Sequence, residues 1–131
     1  NKYRDAEKLI LESNSAALLT RFKPTDQTTL FFAAARQTGQ DQEALGLCRL
    51  LLERGVPVDH PDELNQTALF FAARQGHADT VRYLTRKGAN PNYVDRNGET
   101  PIFYAVSQKR VETVKALLEA GAHLEVVNNW D

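Results

Sequence analysis

Methionine is absent from all 131 residues, and the chain opens on Asn1. Such a chain reads as a processed or excised piece of something longer rather than an intact translation product. Cysteine is nearly absent. The lone Cys48 excludes an internal disulfide and favours a reducing compartment, the cytoplasm or the nucleus. An excess of either charge is missing too: 16 Lys and Arg stand against 17 Asp and Glu, a net charge of -1. That balance gives no argument for nucleic acid or an anionic membrane as partner. No apolar run approaches the roughly 18 residues that a membrane-spanning helix needs, and no signal-peptide pattern opens the sequence. The remainder, 42% hydrophobic and 25% charged, suits one ordinary soluble domain.

What the chain does have is repetition. Thr67-Ala68-Leu69-Phe70-Phe71-Ala72-Ala73 returns as Thr100-Pro101-Ile102-Phe103-Tyr104-Ala105-Val106, and Gly88-Ala89 returns as Gly121-Ala122, both after 33 residues. An earlier copy, Thr28-Thr29-Leu30-Phe31-Phe32-Ala33-Ala34, matches the first of these position by position. A fixed period of this length marks stacked supersecondary units. Within each unit the residue types have physical reasons. Thr67 and Thr100 can cap a first helix through the hydroxyl, and Pro101 suits a first helical turn because its missing N–H costs nothing there. Val81, Leu84, Val114, Leu117 and Leu118 recur at three and four residues, giving a second helix a buried stripe. Gly55, Gly88 and Gly121 fall where such helices should end. Gly98, Asn65 and Asp26 hold an equivalent turn position that wants left-handed backbone. The expected core includes Leu30, Leu51, Leu69, Val81, Leu84, Ile102, Val114 and Leu117.

The pattern Thr-Pro-Leu-His-x-Ala-Ala, then Gly-His, Val-x-x-Leu-Leu and Gly-Ala, is that of the ankyrin repeat, which this chain resembles from about Lys23 onward. The resemblance implies an all-α solenoid of helix-turn-helix repeats with short β-turn fingers. It divides the chain into an N-terminal helical cap (residues 1–22), three repeats (23–61, 62–94 and 95–127) and the start of a truncated fourth (128–131). Three departures stand out. Phe31, Phe70 and Phe103 replace the usual histidine, each followed by another aromatic (Phe32, Phe71, Tyr104), so a more apolar inner stack is expected. Lys109-Arg110 replaces Gly-His, which puts that inter-helix turn in doubt. Ala34 to Cys48 spans 14 residues where Ala73 to Val81 spans 8, so six extra residues around Thr38 to Glu43 make either a longer loop or an extended helix end.

Chemistry finds little to stand on. His60, His77 and His123 fall at different positions of the repeat, so stacking does not gather them. Cys48 takes the place of Val81 and Val114 in an apolar stripe and reads as a small core residue. No metal-ligand spacing or phosphate-binding glycine loop is present, so neither cofactor nor metal is expected. Tyr93, Tyr104, Trp130 and Glu99 could build a cage for a methylated lysine, although regular recurrence is also what a core column looks like.

Binding is better supplied. The resemblance implies partner contacts at finger tips and exposed inner-helix positions. These are Gln27 and Arg36 in the first repeat; Glu63, Leu64, Gln66, Arg74 and Gln75 in the second; Arg96, Asn97, Glu99, Ser107 and Gln108 in the third. Arg36 and Arg74 suggest a basic track, and hence a protein or peptide partner with an acidic or polar extended segment. The leading reading is a non-enzymatic protein-interaction module, monomeric as a fragment, with no nucleic-acid or membrane role. The alternatives are an accessory substrate-positioning domain of a larger methyltransferase, acyltransferase or kinase, and a structural spacer.

Overall fold

The computed structural model describes residues 29–124. The expected cap over residues 1–22, Asp26, Gln27, Thr28, Trp130 and the start of a fourth repeat lie outside them. Among the described residues there are six helices and no strand: α1 (Thr29–Ala34), α2 (Asp41–Glu53), α3 (Ala68–Gln75), α4 (Ala78–Arg86), α5 (Pro101–Ser107) and α6 (Val111–Glu119).

The helices pack as three pairs, α1 with α2, α3 with α4, and α5 with α6. Between pairs, α1 meets α3 and α3 meets α5, while α2 meets α4 and α4 meets α6. The result is two rows, the inner α1-α3-α5 and the outer α2-α4-α6, each pair shielding the apolar side of the one before. A single core runs through both rows, with Leu30, Leu51, Leu69, Val81, Leu84, Ile102 and Leu117 buried. Ala33, Ala72 and Ala105 are buried in the inner row, where side chains this small let helices approach closely. Cys48 is buried in the same core, and desolvation, helped by the charge on Asp41, pushes its thiol up to about 12.

Two expectations fail in the last described pair. Phe31 and Phe70 are 2% and 0% exposed, but Phe103 at the matching position is 40% exposed. Val114 is only partly buried, although Cys48 and Val81 are fully so. The reason is the same for both. Phe31, Cys48, Phe70 and Val81 lie in pairs that another pair covers, whereas no helix follows α6 among the described residues. The second aromatic column is not uniformly apolar either. Phe32 is exposed, and Tyr104 joins a polar network.

Backbone detail follows the repeat. Each outer helix closes in a left-handed glycine. At Gly88 (φ 102°) the next N–H, on Ala89, reaches back to the Leu84 carbonyl at 3.0 Å, as a Schellman cap does. Thr67 and Thr100 are the N-caps of α3 and α5, but neither makes a side-chain capping bond, contrary to expectation. Both hydroxyls are buried without a partner; Phe70 and Phe103 stand where the resemblance implies a histidine.

The doubtful turn at Lys109-Arg110 is kept, at a conformational cost. Lys109 takes φ 58°, the left-handed region that Gly76 occupies at φ 79° in the preceding pair. Lys109→Gly is therefore expected to stabilise the protein by about 1 kcal/mol, since an L-residue is strained there; an unchanged urea midpoint would show that the lysine is unstrained. Arg110 does the work of the missing histidine. In the second pair, buried His77 donates from Nε2 to the Arg36 carbonyl at 2.6 Å. In the third, Arg110 donates from Nε to the Arg74 carbonyl at 3.1 Å.

The six-residue insertion resolves as both a longer loop, through Thr38 to Gln40, and an extended helix end from Asp41. Its Asp41 opens α2 and caps the N-terminus of α4 from the neighbouring pair. The carboxylate accepts the Asp79 and Thr80 N–H groups at 3.1 and 3.3 Å and the Thr80 hydroxyl at 2.8 Å. Acceptance of helix-start N–H groups by an anion satisfies otherwise unpaired donors and suits the helix dipole.

In the segments that follow the outer helices a second inter-repeat bond recurs. Asp59 Oδ2 accepts the Asn90 N–H at 2.9 Å, and Asn92 Oδ1, one period later, accepts the His123 N–H at 2.9 Å. Asp59 has its other oxygen buried without a partner, and burial raises its pKa against the lowering effect of the Asn90 N–H. A carboxyl raised by folding contributes stability below its unfolded pKa of about 3.9 and loses it as pH rises through the folded value. Asp59→Asn, which copies Asn92, should thus be more stable than the wild type at pH 7, with the advantage shrinking as pH falls toward 4. Paired urea titrations at the two pH values test the sign.

Candidate protein-binding face

Two fingers lead into the inner helices. Each is a turn tied by an aspartate. Asp62 Oδ1 accepts the Leu64 and Gln66 N–H groups, both at 2.9 Å, and the Asp62 carbonyl accepts the Asn65 N–H at 3.0 Å. Asp95 Oδ1 accepts those of Asn97 and Glu99 at 2.9 and 3.0 Å, and its carbonyl accepts the Gly98 N–H at 3.0 Å. Asn65 takes the left-handed φ of 60° that its turn requires. The fingers are joined to each other: the Arg96 N–H donates to the Leu64 carbonyl, and Asn65 Nδ2 to the Val94 carbonyl, both at 3.0 Å. Their shape is therefore set by bonds within the chain.

Beneath the fingers lies a polar network that sequence reading missed. Tyr104 on α5 donates its hydroxyl to Asp95 Oδ2 at 2.5 Å. Gln66 Nε2 donates to the same oxygen at 2.9 Å and lies 3.2 Å from the Tyr104 hydroxyl. Burial, and then the bond to Asp95, pushes the Tyr104 phenol up to about 12, so it remains a donor across the physiological range. Arg74 on α3 lies with its guanidinium 4.6 Å from the Tyr104 ring centroid and 5.2 Å from that of Phe71. Its Nη2 is 3.5 Å from Gln66 Oε1, the outer limit of a hydrogen bond. Rings also interlock from pair to pair, Phe31 with Phe71 at 5.4 Å and Phe70 with Tyr104 at 5.8 Å, both edge-on.

The residues expected at the face divide into groups. Glu63, Leu64, Arg96 and Asn97 are exposed at the finger tips, Leu64 at 55%. Ser107 and Gln108 are exposed at the end of α5, while Glu99 and Gln75 are half-buried; Gln75 Oε1 accepts the Thr38 hydroxyl at 3.1 Å. Gln66 is only 4% exposed, and it holds the network together rather than offering itself outward. The basic track does not form as a column. Counting from Thr28 and Thr67, Arg36 is level with Gln75, and Ala35 with Arg74. Arg36 is half-buried with its Nε unpaired. The cation over Tyr104 is the chain's own Arg74, so of the residues that could build a methyl-lysine cage, Tyr104 already holds a cation and Trp130 lies outside the described residues.

Elsewhere there is little. Among the described residues no three His, Cys, Asp or Glu side chains gather as a metal site, and no helix is long and apolar enough to cross a membrane. A shallow depression of about 240 Å³ between α4 and α6 is lined by Arg82, Arg86 and Glu119 among others. Its Arg82 is already paired with Asp79 at 3.1 Å and Glu119 at 3.6 Å.

Helix pairs in two rows, joined by pre-formed turns along one edge, define a helical-repeat scaffold. The chain belongs to the ankyrin repeat family: the family model described as ankyrin repeats (3 copies) matches residues 1–95 and, in a second placement, 30–128. Repeats of this family are in general protein–protein interaction modules and are typically not enzymes. A search of the curated proteins finds no match.

Proposed function

We propose that this chain is a non-enzymatic interaction module that binds a partner protein or peptide across its fingers and inner helices. The observation that carries the reading is the contrast within the fingers. Their backbones are fixed by Asp62 and Asp95, yet Glu63, Leu64, Arg96 and Asn97 project from them unburied. Pre-ordered backbone with free side chains lowers the ordering cost of binding, and an exposed leucine among polar neighbours is suited to act as an anchor. The network residues Gln66, Asp95 and Tyr104 hold the turns in register. Buried, unpaired Cys48 suits a reducing compartment.

The test is affinity capture with the chain as bait, compared with two variants. Leu64→Ala, Arg74→Ala and Arg96→Ala together should lose the captured partner while melting cooperatively near the wild-type temperature. Arg86→Ala with Lys115→Ala, on the outer helices, should retain it. Equal recovery by the face variant would place binding elsewhere.

A further inference from the structure

Arg74 occurs at one level of the stack only. Ala35 and Ser107 hold the matching positions in the other two repeats, so the inner row carries a single cation there, in its middle pair. That cation is held in an unusual way. Phe71 and Tyr104 lie against it at 5.2 and 4.6 Å, and no Asp or Glu among the described residues lies within ion-pair distance of it. Asp95, the nearest carboxylate in the network, is fully engaged by four other donors: the Asn97 and Glu99 N–H groups, Gln66 Nε2 and the Tyr104 hydroxyl. Aromatic contact stabilises a guanidinium without using its N–H groups. The one internal bond, to Gln66 at 3.5 Å, is long enough to be exchanged for a better acceptor. Arg74 is thus a positioned fork with its hydrogen-bonding edge unfilled.

We infer that Arg74 receives the side-chain carboxylate of an acidic residue in an extended partner segment, held edge-on by the guanidinium. The inference rests on the binding reading above and names the chemistry at its centre. A planar fork between rings matches a carboxylate, which it can meet with two parallel bonds. A phosphorylated segment fits less well. Phosphate recognition draws on clusters of arginines, whereas here Arg74 is the one arginine set against the rings, and although Arg96 stands at a finger tip the fingers also carry Glu63, Asp95 and Glu99, which repel a dianion more than a monoanion. Exposed Leu64, two residues before Gln66 in the same finger, supplies an apolar contact beside the charged one.

A displayed library of random twelve-residue peptides, panned on the immobilised chain, tests this. The wild type is expected to enrich peptides carrying Asp or Glu at one fixed spacing from an apolar residue. Changing that acid to its amide in a selected synthetic peptide should weaken binding about tenfold. With Arg74→Gln, checked by its melting curve, the acid and the amide should bind equally, while the apolar preference persists. Arg74→Lys, which keeps the charge but not the fork, should retain a reduced acid preference. Peptides selected without an acid preference, or a preference that survives Arg74→Gln, would overturn the carboxylate assignment and leave the binding module standing. Preference for phosphorylated over acidic versions of the same peptide would also overturn it. Failure to enrich any peptide would count against the binding reading itself.

Discussion

Phe70→Ala is expected to cost about 3–5 kcal/mol, the range for removing a fully enclosed aromatic side chain, while Phe103→Ala costs about 1 kcal/mol. The two residues hold the same place in consecutive repeats and differ only in what lies beyond them. Phe70 is wholly buried with its ring against Tyr104 at 5.8 Å, so truncation leaves a cavity that the stack cannot close. Phe103 is 40% exposed; it has less apolar surface to lose, and water already reaches it. Urea denaturation of both variants measures the difference. A domain of this size has only about 5–15 kcal/mol of total stability, so the first substitution should leave the protein partly unfolded near body temperature. Equal costs would mean that the third pair does not shield the second.

Asp95→Ala has the second-largest expected effect, about 2–3 kcal/mol. Four donors converge on this 5% exposed carboxylate: two N–H groups of its own turn, Gln66 and Tyr104. Removing the acceptor leaves buried donors unsatisfied, each a penalty of about 1–3 kcal/mol that the turn can partly relieve by opening to water. The loss reaches function by the same path. Without Asp95, Gln66 and Tyr104 lose their common partner, and the surfaces beneath Arg74 lose their register. The variant should therefore melt earlier and bind any face partner more weakly, and faster amide exchange at Asn97 and Glu99 should accompany both. If the finger amides stay protected, the carboxylate does not hold the turn.

The fold was largely legible because its cause is local and periodic. Leu69 and Ile102, and Gly88 and Gly121, repeat at one spacing, and each answers a need of the unit it sits in, whereas Thr67 and Thr100 repeat at the same spacing without making the capping bond expected of them. The other misreadings concern interactions between units. Asp41 lies in an insertion 38 residues from the helix start it caps, so nothing near it reveals the task. Arg110 looked like a defect in the turn, yet its longer side chain reaches a backbone carbonyl of the preceding pair as His77 does in its own turn. Phe103 was grouped with Phe31 and Phe70 because periodicity assigns equal environments, whereas burial depends on what comes next in space.

The fingers were legible as turns, and the network beneath them was not. Leu64 and Arg96 could be placed at finger tips by matching the chain to the pattern of the family it resembles. Arg74 read as one member of a basic row, because a sequence does not show that its guanidinium lies against rings from two repeats. Gln66 read as a contact residue for a similar reason: only the fold brings Asp95 and Tyr104 to its amide.

The claim beneath all of this is that successive helix pairs shield one another. Its most direct test is a nuclear Overhauser measurement of ring contacts in solution. Cross-peaks are predicted between the rings of Phe31 and Phe71 and between those of Phe70 and Tyr104, whose centroids lie 5.4 and 5.8 Å apart. Absence of both sets, in a protein whose circular dichroism remains helical, would contradict it.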